Sequence, residues 1–104
     1  MIRQFDVIDN PSAQSRLIAP FLVVTQSHLY DEGPTLVVAP LLRMPTAAWL
    51  TKVSLMVDFN AEPFILMLSE IGAIDRRSAH RPLGSLLVHE DDIRRAFDRL
   101  FTGF

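Results

Sequence analysis

The chain has 104 residues, 49% of them apolar, and ten basic against twelve acidic side chains give a net charge of −2 and an isoelectric point near 5.8. That length gives one domain, residues 1–104, with no room for a second core. The absence of cysteine excludes disulfide scaffolds, thiolate-ligated metal sites and cysteine nucleophiles, and the acidic balance argues against a nucleic-acid binder built on phosphate neutralisation.

The charge is unevenly spread. Residues 1–75 carry four bases and eight acids, whereas residues 76–104 carry six and four, with a basic group at Arg76, Arg77 and Arg81. Met1–Asp6 has no apolar run of the kind a secretion signal needs. The longest apolar stretches, Leu36–Leu42 and Ile65–Leu68, fall far short of the roughly 20 residues that span a bilayer. A soluble, cytoplasmic domain without a membrane partner is the expectation.

The first two-thirds of the chain read as strands. Gln4–Ile8 alternates polar and apolar residues, the period of a half-buried strand, and Asp9–Ser12 follows as a cluster of turn formers. Phe21–Thr25 is continuous, β-branched and too short for a helix, which predicts a buried strand after Pro20. Asp31–Pro34 predicts a turn and Thr35–Ala39 a strand closed by Pro40. The seven prolines all read as boundaries. Residues 46–51 fit a short helical turn or a loop. Val53–Phe59 and Phe64–Leu68 flank Asn60–Pro63, a hairpin with a four-residue loop. A short strand at Ile71–Ile74 and a polar loop or edge over 75–85 come next.

The last element differs in kind. Ile93, Ala96, Phe97, Leu100 and Phe101 fall on one face of a helix over residues 89–101. Glu90, Asp91 and Asp92 at its start and Arg94, Arg95 and Arg99 further along suit the macrodipole. Glu90–Arg94 and Asp91–Arg95 are expected ion pairs, and Gly103 is the expected stop. The pattern predicts a mainly β domain, a small antiparallel barrel or curled sheet with one C-terminal helix.

No catalytic or metal constellation emerges. His28, His80 and His89 lack metal-ligand spacing. His28 with Asp31 and Glu32 reads better as a polar turn, and His89 with Glu90, Asp91 and Asp92 as a helix start. Ser27, Ser69 and Ser85 lack a nucleophile turn, and the four glycines are too scattered for a phosphate cradle. The arginines at 76, 77 and 81 fit a solvated loop better than an anion site. The chain end is unusual, because Leu100-Phe101-Thr102-Gly103-Phe104 closes on two aromatics where termini are ordinarily polar. Either both rings tuck into the core or they form a contact surface.

Gln4-Phe5-x-Val7, Gln26-Ser27-x-Leu29-x-Asp31, Val37-Val38-Ala39-Pro40-Leu41, Asp92-Ile93-x-x-Ala96 and the Gly103 ending, in that order, resemble the CcdB family of toxins from toxin–antitoxin modules. The resemblance covers essentially the whole chain, with a longer first turn at Pro11–Arg16 and a middle segment, Ala47–Lys52 with Trp49, that has no clear counterpart. It implies a homodimer with an SH3-like barrel and a C-terminal helix. It also implies a protein that is no enzyme, needs no cofactor or metal and makes no direct contact with nucleic acid. Such a protein binds the DNA gyrase A subunit, traps gyrase on cleaved DNA and is neutralised by an antitoxin with a disordered C-terminal segment. Matched position by position, the gyrase contacts would be Ser27, Leu29, Tyr30, Asp98, Phe101, Thr102, Gly103 and Phe104. The best-known member carries Trp at the position of Thr102 and Ile at that of Phe104, so this tip departs from the family pattern. Two alternatives stand beside this reading. One is a MazF-like endoribonuclease drawing on Arg76, Arg77 and Arg81, which the acidic isoelectric point opposes. The other is a degenerate relative that keeps only dimerisation and antitoxin binding.

Overall fold

A computed structural model describes residues 2–27, 33–43 and 53–103. Seven strands, β1 (Asp6–Asp9), β2 (Phe21–Val24), β3 (Thr35–Arg43), β4 (Ser54–Phe59), β5 (Glu62–Met67), β6 (Gly72–Asp75) and β7 (Gly84–Ser85), precede one helix, α1 (Glu90–Thr102). All described strand pairs are antiparallel, in the order β4-β5-β3-β2-β1-β7, with β6 also on β3. The mainly β sheet with a C-terminal helix is the architecture that the alternation and the helical spacing predict. The segment 46–51 lies outside the described residues.

Strand β3 organises the sheet. One edge pairs with β2, while the other takes β5 on Leu41–Arg43 and β6 on Thr35–Val38. Two residues of β3 separate these pairings, against five between Leu66 and Gly72 on the facing chain. The three extra residues are absorbed by a 3-10 turn at Leu68–Glu70, whose Leu68 is buried. β5 and β6 are therefore one path along β3, broken by an insertion that bends the sheet as a large bulge would.

That bend explains why Pro40 lies inside β3 and does not close it. The Thr25 N–H donates to the Val37 carbonyl, so by alternation the odd residues of β3 bond to β2. The Pro40 nitrogen faces the other edge, in the interval that the turn leaves without a partner. Pro63 similarly lies within β5, one residue before Phe64, where β5 begins to pair with β3. A proline is tolerated wherever its missing N–H faces no acceptor.

Other boundaries also move. Asn60 and Ala61 both have positive φ, 54° and 61°, and Phe59 pairs with Glu62. The expected four-residue loop is thus a two-residue turn with the backbone twist hairpins favour. Strand β1 begins at Asp6 because Phe5 adopts φ 71°, unusual for a bulky side chain. Two backbone bonds hold Phe5 there, from its N–H to the Val24 carbonyl (2.6 Å) and from the Leu86 N–H to its own carbonyl (2.8 Å). The turn after β1 is built around Asn10, which is buried yet satisfied. Its amide donates to the Ala19 carbonyl (2.8 Å) and the Ser15 hydroxyl (2.9 Å), and its oxygen accepts from the Ser12 N–H (3.0 Å).

Both sheet faces are apolar. Val7, Val23, Ala39, Leu41, Val57, Phe59, Phe64 and Leu66 form the larger core with Ile93 and Ala96 of α1. Ile8, Leu22, Val24, Leu36 and Val38 form a smaller one on the opposite side. Phe21 meets Phe59 and Phe64 edge-on, with ring centroids 5.2 and 5.6 Å apart. Phe59 also reaches the far end of the sheet. A Cβ on Gly84 of β7 would stand 2.6 Å from its ring, so β4 and β7, at opposite ends of the strand order, close on each other through this contact.

Two substitutions test this packing. Gly84→Ala should lower stability by about 1–3 kcal/mol, since the new methyl must displace a core ring. An unchanged urea midpoint would contradict the closure. Ala61→Gly should raise stability by about 1 kcal/mol by relieving a left-handed alanine. A lower midpoint for that variant would refute the turn geometry.

Candidate functional site

The most conspicuous surface lies where α1 leaves the core. Its first turn carries Glu90, Asp91 and Asp92, and Arg94 chelates Glu90 at 3.0 and 2.7 Å. Arg95 bonds Asp92 at 2.6 Å, not Asp91 as the four-residue spacing suggested. Both spacings bring side chains together on a helix, and three residues suffice here. The Arg94 guanidinium also stands 5.8 Å from the centroid of the Phe5 ring, tying the helix to the strained residue beneath it.

Ile93 and Ala96 are fully buried, Phe97 and Leu100 are half-buried, and Phe101 is 65% exposed. The apolar stripe thus begins in the core and emerges at its last turn. Of the two fates open to Phe101, the structure shows the surface. Its ring stacks on Phe97, with centroids 5.9 Å apart and planes 13° from parallel. The four-residue spacing of two aromatics is the sequence signal for this pair, which the expected contact set omits by leaving out Phe97.

Local bonds fix the helix end. The Thr102 hydroxyl donates to the Asp98 carbonyl at 2.5 Å. Gly103, at φ 79°, stops the helix with its N–H on the Arg99 carbonyl. Left-handed backbone favours glycine, which accounts for the residue type. Asp98, Phe101, Thr102 and Gly103 therefore share one exposed helical end. Ser27 is half-buried in the loop leaving β2, whose root is pinned to β3. The Val37 N–H donates to the Gln26 side chain, and Thr25 bonds the Val37 carbonyl through both N–H and hydroxyl. Leu29, Tyr30 and Phe104 lie outside the described residues, as do His28, Asp31 and Glu32.

The arginine group is largely committed to structure. Arg76 donates to the Gly33 carbonyl at 2.7 Å and to the Thr35 carbonyl at 3.4 Å. Arg77 bonds Asp75 through side chain and backbone, which holds the Asp75 carboxyl below its usual range and raises the guanidinium. Arg76 braces the β6 turn, while Arg77 pairs with Asp75 at an exposed surface. A cleft of about 460 Å³ collects Asp9, Arg16, Ser78 and His80. No hydrogen bond joins its serine, histidine and aspartate, so the relay that activates a hydroxyl is not assembled. No group of three or more potential metal ligands occurs among the described residues, and no helix among them is long and apolar enough to cross a membrane.

The exposed aromatic end of α1 is the most prominent apolar feature of this surface among the described residues. Residues 4–103 match the family described as CcdB protein. No individual curated protein matches the chain. With nearly its whole length matched, the chain belongs to the CcdB family, toxins of toxin–antitoxin modules.

Proposed function

We propose that this protein is a homodimeric, cytoplasmic toxin that binds the DNA gyrase A subunit and traps the gyrase–DNA cleavage complex. A cognate antitoxin with a disordered C-terminal segment neutralises it. The chain acts as one domain and works by contact, without cofactor or catalytic group. Family membership supports the class of target. The observation that carries the site is Phe101, 65% exposed and stacked on Phe97 at the end of a helix anchored in the core.

An aromatic ring held rigidly by a second ring loses little entropy on binding and offers a large apolar area, the attributes of an interface hot spot. The full contact set is Ser27, Leu29, Tyr30, Asp98, Phe101, Thr102, Gly103 and Phe104. Thr102 replaces an aromatic of the family pattern, so the Phe101–Phe97 pair takes over as anchor. Gly103 adds no side chain at the tip, which lets the partner's backbone approach closely.

The test uses purified gyrase with supercoiled DNA. The wild type should accumulate cleaved DNA, and Phe101→Ser should weaken that effect about tenfold or more, equivalent to roughly 1.4 kcal/mol of binding. The unfolding free energy of the variant should stay within about 0.5 kcal/mol of the wild type, because the ring is mostly in solvent. Absence of cleaved complexes with the wild type, or full trapping by Phe101→Ser, would contradict the proposal.

A further inference from the structure

Arg94, Asp98 and Phe101 follow one another at spacings of four and three along α1, so they share one side of the helix, and all three are exposed. Arg94 is the one of them that lies outside the expected contact set. It is held from two directions. Its Nε and Nη2 donate to one carboxylate oxygen of Glu90 at 3.0 and 2.7 Å, and its guanidinium stands 5.8 Å from the centroid of the Phe5 ring. Phe5 in turn ties α1 to the loop after β2. Its N–H donates to the Val24 carbonyl at 2.6 Å, and the Gln4 side-chain amide beside it donates to the Thr25 carbonyl at 3.0 Å, two residues before Ser27. Phe101 lies about 10 Å along the helix from Arg94 in the other direction. The Arg94 head group therefore stands between the loop that carries Ser27 and the helix end, and it joins the two into one strip.

We infer that Arg94 is a specificity-determining residue of this strip and meets a carboxylate of the gyrase A subunit. The inference rests on the helix-end surface proposed above and adds a charge requirement to it. Glu90 engages the Nε and Nη2 donors, and the Nη1 donors have no acceptor among the described residues. The side chain is 57% exposed, which leaves that edge open to a partner. The Glu90 clamp and the Phe5 ring fix the head group, so little side-chain entropy remains to be lost when a partner meets it. Arginine is enriched among interface hot spots, and its charged donors bond a carboxylate more strongly than a neutral acceptor. A DNA phosphate fits the same donors less well here. Asp91 and Asp98 stand on the same side of α1 without ion pairs among the described residues, and they repel a polyanion.

The test is calorimetric binding of the full chain to the purified gyrase A subunit, without DNA and at low and high salt. Arg94→Gln should weaken binding about fivefold or more, and Arg94→Glu should weaken it further. The urea midpoint of Arg94→Gln should stay near that of the wild type, because the ion pair it breaks is exposed. Loss of a cation that meets a charged partner should also flatten the fall of affinity with salt, which a purely structural role would not do. Arg95→Gln is the control. It breaks a similar pair about 100° round the helix and should leave affinity within about twofold. Wild-type binding that Phe101→Ser weakens and Arg94→Gln leaves unchanged would overturn this inference alone and keep the helix-end reading. Equal losses in Arg94→Gln and Arg95→Gln, an unchanged salt dependence, or an effect of Arg94 seen only with DNA present would also overturn it. No binding by the wild type would overturn both.

Discussion

The ring of Phe59 lies where a side chain on Gly84 would have to stand. Through that contact the two end strands of the sheet meet by packing, with no ladder between them, and the sheet closes into a half-barrel. Phe21 packs edge-on against Phe59 and is itself met edge-on by Phe64, so the ring that reaches Gly84 is backed by a chain of aromatics. The closed wall is also the floor on which α1 rests, since Phe59, Leu86, Ile93 and Ala96 belong to one core. The helix end can present Phe101 to a partner only because the preceding two turns are anchored there. Under the proposed function, fold stability and the helix-end site share this support.

The bend in the sheet has an equally local cause. Three extra residues between β5 and β6 force a turn at Leu68–Glu70, and Pro40 occupies the stretch of β3 that this turn leaves unpaired. Both features solve the same problem, a backbone position without a hydrogen-bond partner. A proline fits there at little cost, whereas any other residue would hold an N–H with nothing to accept it.

The parts of this fold that were legible in the sequence are those set by side-chain period. Alternation marked the first strand, continuous β-branched runs between turn formers marked the next ones, and the stripe from Ile93 to Phe101 marked the helix to within a residue at each end. What escaped was set by partners distant in sequence. Pro40 and Pro63 read as strand ends because the direction of their nitrogens depends on strands that the local sequence does not name. The hairpin read as a four-residue loop because Ala61 gives no hint of a positive φ. Arg95 found Asp92 over Asp91, a choice between two neighbours that spacing leaves open. At the candidate site, Asp98, Phe101, Thr102 and Gly103 were expected from the family resemblance, whereas the stacking of Phe97 and the exposure of Phe101 needed the packed helix. Leu29, Tyr30 and Phe104 stay expectations of the family resemblance.

The proposed mechanism is that of a toxin that works by contact. Arg76 braces the turn after β6, Arg77 pairs with Asp75 at the surface, and the cleft that holds a serine, a histidine and an aspartate does not link them. What is left for a partner is apolar and rigid. The most direct measurement is residue-resolved amide exchange of the protein alone and bound to the gyrase A subunit. Protection on binding should appear at Asp98–Gly103 and in the loop after β2 that contains Ser27. Protection confined to other surfaces, with the helix end unchanged, would contradict the account.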